Sequence, residues 1–166
     1  MDSAHFFRYP GETPEAADAF LAGLHEDEVA RLLQYLEVRR LRAGDAAIRQ
    51  GERSRDVFIV AAGRFAVIVS TGGNSFEADS YGPGEVFGEV GFFDSQPRAA
   101  TVRALEESEV LVLTPLGFRR LRLGEPRLAM LLALDLGQIL AQRFRDHDRQ
   151  LMSLRKGRDQ RRRRHV

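Results

Sequence analysis

The sequence predicts a mainly β domain, a small antiparallel barrel or sandwich with helices at both ends. Three observations predict it. Short Val/Ile/Phe-rich runs of four to seven residues follow one another between residues 57 and 114. Glycines at 44, 51, 63, 72, 73, 82 and 84 divide this region at intervals that suit strands and turns. Outside it, apolar residues recur at helical spacing instead.

The elements follow in order. Residues 14–22 and 26–36 read as short helices. Thr13 can cap the first and Pro14 suits its first turn. In the second, Val29, Leu32, Leu33 and Leu36 repeat with the helical period. The strand candidates are VFIVAAG (57–63), RFAVIVS (64–70), FEADSYG (76–82), ATVRALE (100–106) and EVLVLT (109–114). TGGN at 71–74 is a hairpin turn. Tyr81-Gly82-Pro83-Gly84 reads as a tight turn with no ligand role.

After Thr114-Pro115 the period changes. Phe118, Leu121 and Leu123 suit a short helix that stops near Gly124, and Glu125-Pro126 opens a long one. Leu128, Leu131, Leu132, Leu134, Leu136, Ile139, Leu140, Phe144 and Leu151 give that helix an apolar stripe too wide for a solitary surface helix. The helix either packs on the barrel alone or also meets a partner helix. Its length and stripe width favour the second, a homodimer. The last dozen residues lack apolar periodicity and are expected to be disordered. The expected division is therefore a folded unit over residues 1–152 and a basic tail over 153–166.

Composition narrows the class. A chain of 166 residues suits one domain, and 43% hydrophobic with 30% charged residues suits a soluble core. No run of 18 apolar residues is present, so no membrane span is expected. The first residues lack the pattern of a secretory signal, and cysteine is absent, so a cytoplasmic location is expected. Charge is uneven. Residues 155–166 hold seven basic side chains against Asp159, which is +6, so a total of +1 leaves −5 on residues 1–154.

The segment VFGEVGFFDSQPRAATV (86–102) carries the chemistry. Arg98 offers the planar, two-pronged grip suited to phosphate or carboxylate. Ala99 and Ala100 leave their backbone N–H groups open to an anion. Gly88, Glu89, Val90 and Gly91 can form one helical turn whose N–H groups also attract one. Glu89 cannot bind phosphate but can accept a hydrogen bond from a sugar hydroxyl, so the set points to a sugar phosphate. The structural alternative is an ion pair between Glu89 and Arg98. Phe92 and Phe93 are expected to anchor the short helix in the core.

GEVFGEVGFFDSQPRAATVRA (84–104) resembles the phosphate-binding cassette of the cyclic nucleotide-binding domain family, with Phe87, Gly88, Glu89, Arg98, Ala99 and Ala100 matching its pattern. Gly44-Asp45, Ile48, Gln50-Gly51-Glu52, Phe58-Ile59-Val60 and Gly63 fall where that family places turns and strands. The resemblance implies an eight-stranded antiparallel β-roll, jelly-roll-like, with N-terminal helices and a long C-terminal helix. It implies that Glu89 binds the ribose 2′-OH with the Gly88 N–H nearby, Val90 beside them, and that Arg98 holds the cyclic phosphate with the Ala99 and Ala100 amides. In the family a Thr directly after the cassette Arg accompanies cGMP preference. Ala99 stands there, so cAMP is expected over cGMP. The base would be covered from the long helix by Arg143 or Phe144, by stacking. The alternative is that Phe144 packs on neighbours and Arg143 is solvated.

Nothing else in the chain suggests catalysis. The His residues at 5, 25, 147 and 165 are scattered, and no nucleophile elbow, Walker loop or dinucleotide motif appears. The Arg-rich tail could meet nucleic acid, acidic lipid or an acidic protein, or simply keep the chain soluble. The sequence stops too soon after the long helix for a three-helix DNA reader. The expectation is a stand-alone cAMP sensor acting on an effector protein. The alternatives are a DNA-binding regulator using the tail, and an interaction domain without nucleotide.

Overall fold

The structure, a computed structural model, describes residues 24–163. The helix expected over residues 14–22 lies outside them. The element order is α1 (Glu26–Leu33), β1 (Glu37–Leu41), β2 (Ala46–Ile48), β3 (Val57–Ala62), β4 (Phe65–Thr71), β5 (Asn74–Tyr81), β6 (Val86–Phe87), α2 (Glu89–Asp94), β7 (Thr101–Ala104), β8 (Ser108–Leu113), α3 (Pro115–Gly124) and α4 (Pro126–Arg163). The strands form two four-stranded sheets, ordered β1-β8-β3-β6 and β2-β7-β4-β5. Every pairing is antiparallel. This is the eight-stranded roll with flanking helices that the sequence predicts.

Strand β3 explains why the core has two parts. Val57, Phe58, Ile59 and Val60 are all buried. Alternate side chains of a strand leave opposite faces. Phe58 and Val60 point between the sheets, among Leu41, Ile48, Phe65, Phe87, Val102 and Val112. Val57 and Ile59 point the other way, among Leu32, Val86, Leu121, Leu128, Leu132 and Leu136. A continuous apolar run thus marks a strand covered on both faces. Phe87 closes the inner layer. It stacks on Phe58 at 4.9 Å between centroids and 8° between planes, and meets Phe65 at 5.3 Å. Burying such a ring contributes about 2–3 kcal/mol.

The predicted hairpin forms, with Thr71 opposite Asn74 and Gly72-Gly73 between them. Helix α3 starts as predicted, with Pro115 in its first turn and the Thr114 hydroxyl accepting from the Gly117 N–H at 3.0 Å.

Three differences are informative. Helix α1 ends at Leu33 rather than residue 36, because Glu37 already pairs with Val112 in the sheet. Leu36 still packs on the helical side of the core, which is why it fitted the helical period. Strands β1 and β2 carry little alternation, since Leu41 and Ile48 alone are fully buried in them. Helix α4 runs to Arg163, through most of the segment expected to be disordered. Arg, Lys and Gln are good helix formers, and extending an existing helix avoids the cost of nucleation. Residues 164–166 lie outside the description. Among the described residues, no helix is long and apolar enough to cross a membrane.

Candidate functional site

The cassette follows β6. Gly88 has φ +90° and caps α2. A Cβ there would lie 2.7 Å from the Asp56 carbonyl oxygen, so only glycine lets the chain turn this close to the loop before β3. The single helical turn predicted from residue 88 extends to six residues and ends at Ser95, whose φ is +58°. Phe92 anchors it, buried edge-on against Phe118 at 5.0 Å. Phe93, expected in the core, is 44% exposed. A short helix presents only one side to the core, and Phe92 occupies it.

Arg98 is 5% exposed. Its Nε donates to Ser54 Oγ at 2.9 Å, Nη1 to the Gly88 carbonyl at 2.7 Å and Nη2 to the Asp56 carbonyl at 2.6 Å. Its own backbone joins the same loop, with Arg98 N donating to Glu52 O at 2.9 Å and Gly51 N to Arg98 O at 2.8 Å. A Cβ on Gly91 would sit 2.8 Å from Nη1, so the guanidinium lies directly under α2. Three of the five guanidinium N–H donors are engaged, which leaves two. Burial lowers the Arg98 pKa, and Asp56, Glu52 and Glu89 act against it. Burial likewise raises that of Asp56, opposed by Arg39 and Arg98.

Glu89 is 2% exposed and does not pair with Arg98. Its partner is Arg143 of α4. Nη1 donates to Glu89 Oε1 at 2.6 Å, and Nη2 donates to the Val86 carbonyl at 2.5 Å. The guanidinium carbon stands 4.8 Å from the Tyr81 ring centroid, and that ring stacks on Phe87 at 5.5 Å. Burial works against the Arg143 charge, but Glu89 and Tyr81 more than restore it, so its pKa is raised. Burial pushes the Tyr81 phenol up to about 12, with Arg143 acting in the other direction.

The structure therefore gathers Gly88, Glu89, Arg98 and Arg143 at one place. Val90 is 46% exposed beside them. Ala99 is exposed and Ala100 half-buried, and neither amide donates in the turn and loop hydrogen bonds of the backbone. Phe144 is not brought to the site. It is 68% exposed, because successive residues of a helix point about 100° apart and Arg143 takes the cassette-facing direction. The sequence reading missed Ser54, the carbonyls of Asp56 and Val86, and Tyr81, which closes β5 rather than a free turn. Carbonyl acceptors carry no side-chain signal, and Tyr81 reaches the site through strand register. Two surface concavities, of about 490 and 380 Å³, are lined by neither Glu89, Arg98 nor Arg143. Among the described residues, no group of three His, Cys, Asp or Glu could hold a metal ion.

Residues 38–124, which contain β2 to α3 and the whole cassette, match the family described as the cyclic nucleotide-binding domain. The chain belongs to the cyclic nucleotide-binding domain family. The cyclic AMP receptor protein of Thermus thermophilus is 33% identical over 130 residues, which are 78% of this chain and 58% of that protein. The cAMP-dependent protein kinase regulatory subunit of Blastocladiella emersonii is 33% identical over 99 residues, 59% of this chain and 25% of that one. The crystal structure of the Thermus thermophilus catabolite activator protein superposes with a TM-score of 0.73 at 30% identity, covering 82% of this chain and 63% of that chain. The chain thus spans little more than half of the first relative and a quarter of the second. Within the cyclic nucleotide-binding domain, Glu89 and Arg98 lie inside the matched span, whereas Arg143 lies beyond its end.

Proposed function

We propose that this chain is a regulatory cyclic nucleotide sensor that takes cAMP. The observation that carries the proposal is the separation of two buried opposite charges in one cassette. Glu89 and Arg98 do not neutralise each other, so each can meet a different part of one ligand. Glu89 accepts from the ribose 2′-OH, with the Gly88 N–H nearby. The two unengaged N–H groups of Arg98 and the amides of Ala99 and Ala100 donate to the cyclic phosphate. Ala99, where a Thr would favour cGMP, supports cAMP. The described residues are given no catalytic part.

The signal leaves through the cassette and α4 toward an effector protein. A second copy of the chain meets α4. Met130, Leu134 and Phe144 are exposed along it with Ala141, at alternating three- and four-residue spacing through Gly137, where nothing lies within 4 Å of an added Cβ. Calorimetric titration with cAMP, cGMP and 2′-deoxy-cAMP tests the proposal. cAMP binds tightest, and 2′-deoxy-cAMP loses the share due to Glu89. No heat and no melting shift with millimolar cAMP or cGMP would end it. The alternative is an interaction domain without nucleotide, favoured by the occupation of Glu89 by Arg143, and the same titration decides between them.

A further inference from the structure

We propose that the groove between α2 and α3 is a docking site for an acidic segment of a partner protein. That segment lays a large apolar side chain on Phe93 and brings carboxylates to Arg55, Arg119 and Arg122. The inference needs no nucleotide, since neither Glu89, Arg98 nor Arg143 lines this concavity.

The groove is built from several elements. Helix α2 turns Phe92 inward and leaves Phe93 exposed. The two rings stand edge-on at 5.4 Å, and Phe118 of α3 meets Phe92 edge-on at 5.0 Å. With Pro115 they give a concavity of about 380 Å³ an apolar floor. Arg119 and Arg122 reach it together because residues three apart share a side of a helix. Arg55 comes from the loop before β3 and is held there by the bond from its Nη2 to the Phe92 carbonyl at 2.9 Å. From α4 comes Ala133, whose small side chain leaves the space open.

Charge decides what this groove fits. No carboxylate lines it, although residues 1–154 carry a net −5. Among the described residues, no acid pairs with Arg55, Arg119 or Arg122, whereas Arg31, Arg40, Arg127 and Arg143 each have an acidic partner. Asp94, next to Phe93 in the chain, accepts from the Gln96 N–H instead. The helix dipole favours a cation in the last turn of α3, which accounts for Arg122 but not for Arg55 from another element. Three unpaired guanidiniums around an exposed phenyl ring match a segment that brings an apolar anchor and acids together. The anchor supplies affinity by leaving water, and the arginines select against basic partners. A nucleic-acid base needs an open ring face to stack on, but Phe92 is buried and Phe118 half-buried. A flat anionic lipid surface has nothing to enter a concavity.

A phage-displayed library of short random peptides, selected on the full chain, tests the proposal. The selected peptides carry Asp or Glu around a Phe or Leu. Made synthetically with a fluorescein label, they bind the wild type in fluorescence anisotropy. Affinity falls by about tenfold or more in Arg119→Glu/Arg122→Glu, and Phe93→Ser weakens it as well. Peptides whose acids are changed to Lys regain binding to the double variant and lose it to wild type. A merely structural role of the arginines would not produce that exchange. Both arginines are exposed, so the ligand-free Tm of the variant stays within about two degrees of wild type. Arg119→Gln/Arg122→Gln removes the charge without reversing it and weakens binding in the same direction. An empty selection, peptides without acids, or binding unchanged by the double substitution overturns the proposal. Retention of phosphatidylserine vesicles or single-stranded DNA, lost in the double variant while no peptide is selected, overturns it in favour of a lipid or a nucleic acid.

Discussion

Arg98→Ala is expected to destabilise the chain in the complete absence of nucleotide. The guanidinium makes three hydrogen bonds, at 2.9, 2.7 and 2.6 Å, and joins the loop before β3 to the cassette. Each bond to a charged donor contributes about 1.5–3 kcal/mol, and these contributions are not additive. Alanine leaves the Asp56 and Gly88 carbonyls without that donor. Water entering the vacated space recovers part of the loss, so the net cost is about 3 kcal/mol. For a chain of this size that lowers Tm by about 10 °C. The assay is urea and thermal unfolding of ligand-free wild type, Arg98→Ala and Arg98→Lys. Lysine carries a point charge that reaches one acceptor at a time, so it restores only part of the difference. A ligand-free Tm of Arg98→Ala within a degree or two of wild type would refute the reasoning, because it would mean the three contacts are not made. The outcome also governs how binding data are read. If Arg98 holds the cassette together, its removal abolishes nucleotide binding whether or not it touches phosphate, and Glu89 variants become the sharper probe of the ligand.

Three further outcomes are expected. Glu28 is buried, and the His25 N–H and then Arg127 hold its carboxyl below the usual range. Its stabilisation is present above the unfolded carboxylate value of 4.5 and is lost as pH falls through the folded value, so the urea midpoint drops less between pH 7 and pH 3 in Glu28→Gln than in wild type. Tyr81, raised to about 12, keeps its proton while an unfolded phenol near 10 does not, so stability falls as pH rises between those values. In an ultraviolet titration the Tyr81 phenol then ionises late, and that step is missing in Tyr81→Phe. Leu134→Glu, placed on the exposed stripe of α4, converts a dimer to a monomer in sedimentation without lowering Tm by more than the lost interface accounts for; an unchanged sedimentation coefficient would remove α4 as the dimer contact.

The roll was legible where side chains report burial directly. VFIVAAG announced β3 because both faces of that strand are covered. FEADSYG announced β5 although most of it is exposed, because the Gly72-Gly73 turn fixes its register against β4. Strand β1 was not legible. EVRRL buries one residue in five and is held by its pairing with β8, a partner 70 or so positions away. In the cassette, Gly88, Glu89 and Arg98 were legible because a close turn, a carboxylate and a guanidinium each require their own side chain. Their partners were not. The acceptors of Arg98 are two carbonyls and a serine, and any residue supplies a carbonyl. Arg143 was picked out by counting forward from Arg98 on the family resemblance, but its contact with Glu89 was not foreseen. Position on a helix fixes the direction a side chain leaves, and the nearest buried countercharge then decides what it meets.

Arg98 and Glu89 solve one problem, burial of a charge, in opposite ways. Arg98 is satisfied by Ser54, Gly88 and Asp56, all fixed in the roll and its cassette. Those acceptors stay in place in any state that keeps the roll, so the Arg98 contacts stabilise without discriminating between states. Glu89 is satisfied by a side chain on a different element, Arg143 of α4, which also donates to the Val86 carbonyl of β6. Leu128, Leu132 and Leu136 fix the start of α4 in the core, whereas beyond Ile139 the hold on the roll passes to Arg143. A ligand can shift only an equilibrium whose two states it contacts differently. By that criterion the contacts within the roll and its cassette, those of Arg98, differ in kind from the one contact that ties the cassette to α4, that of Glu89 with Arg143.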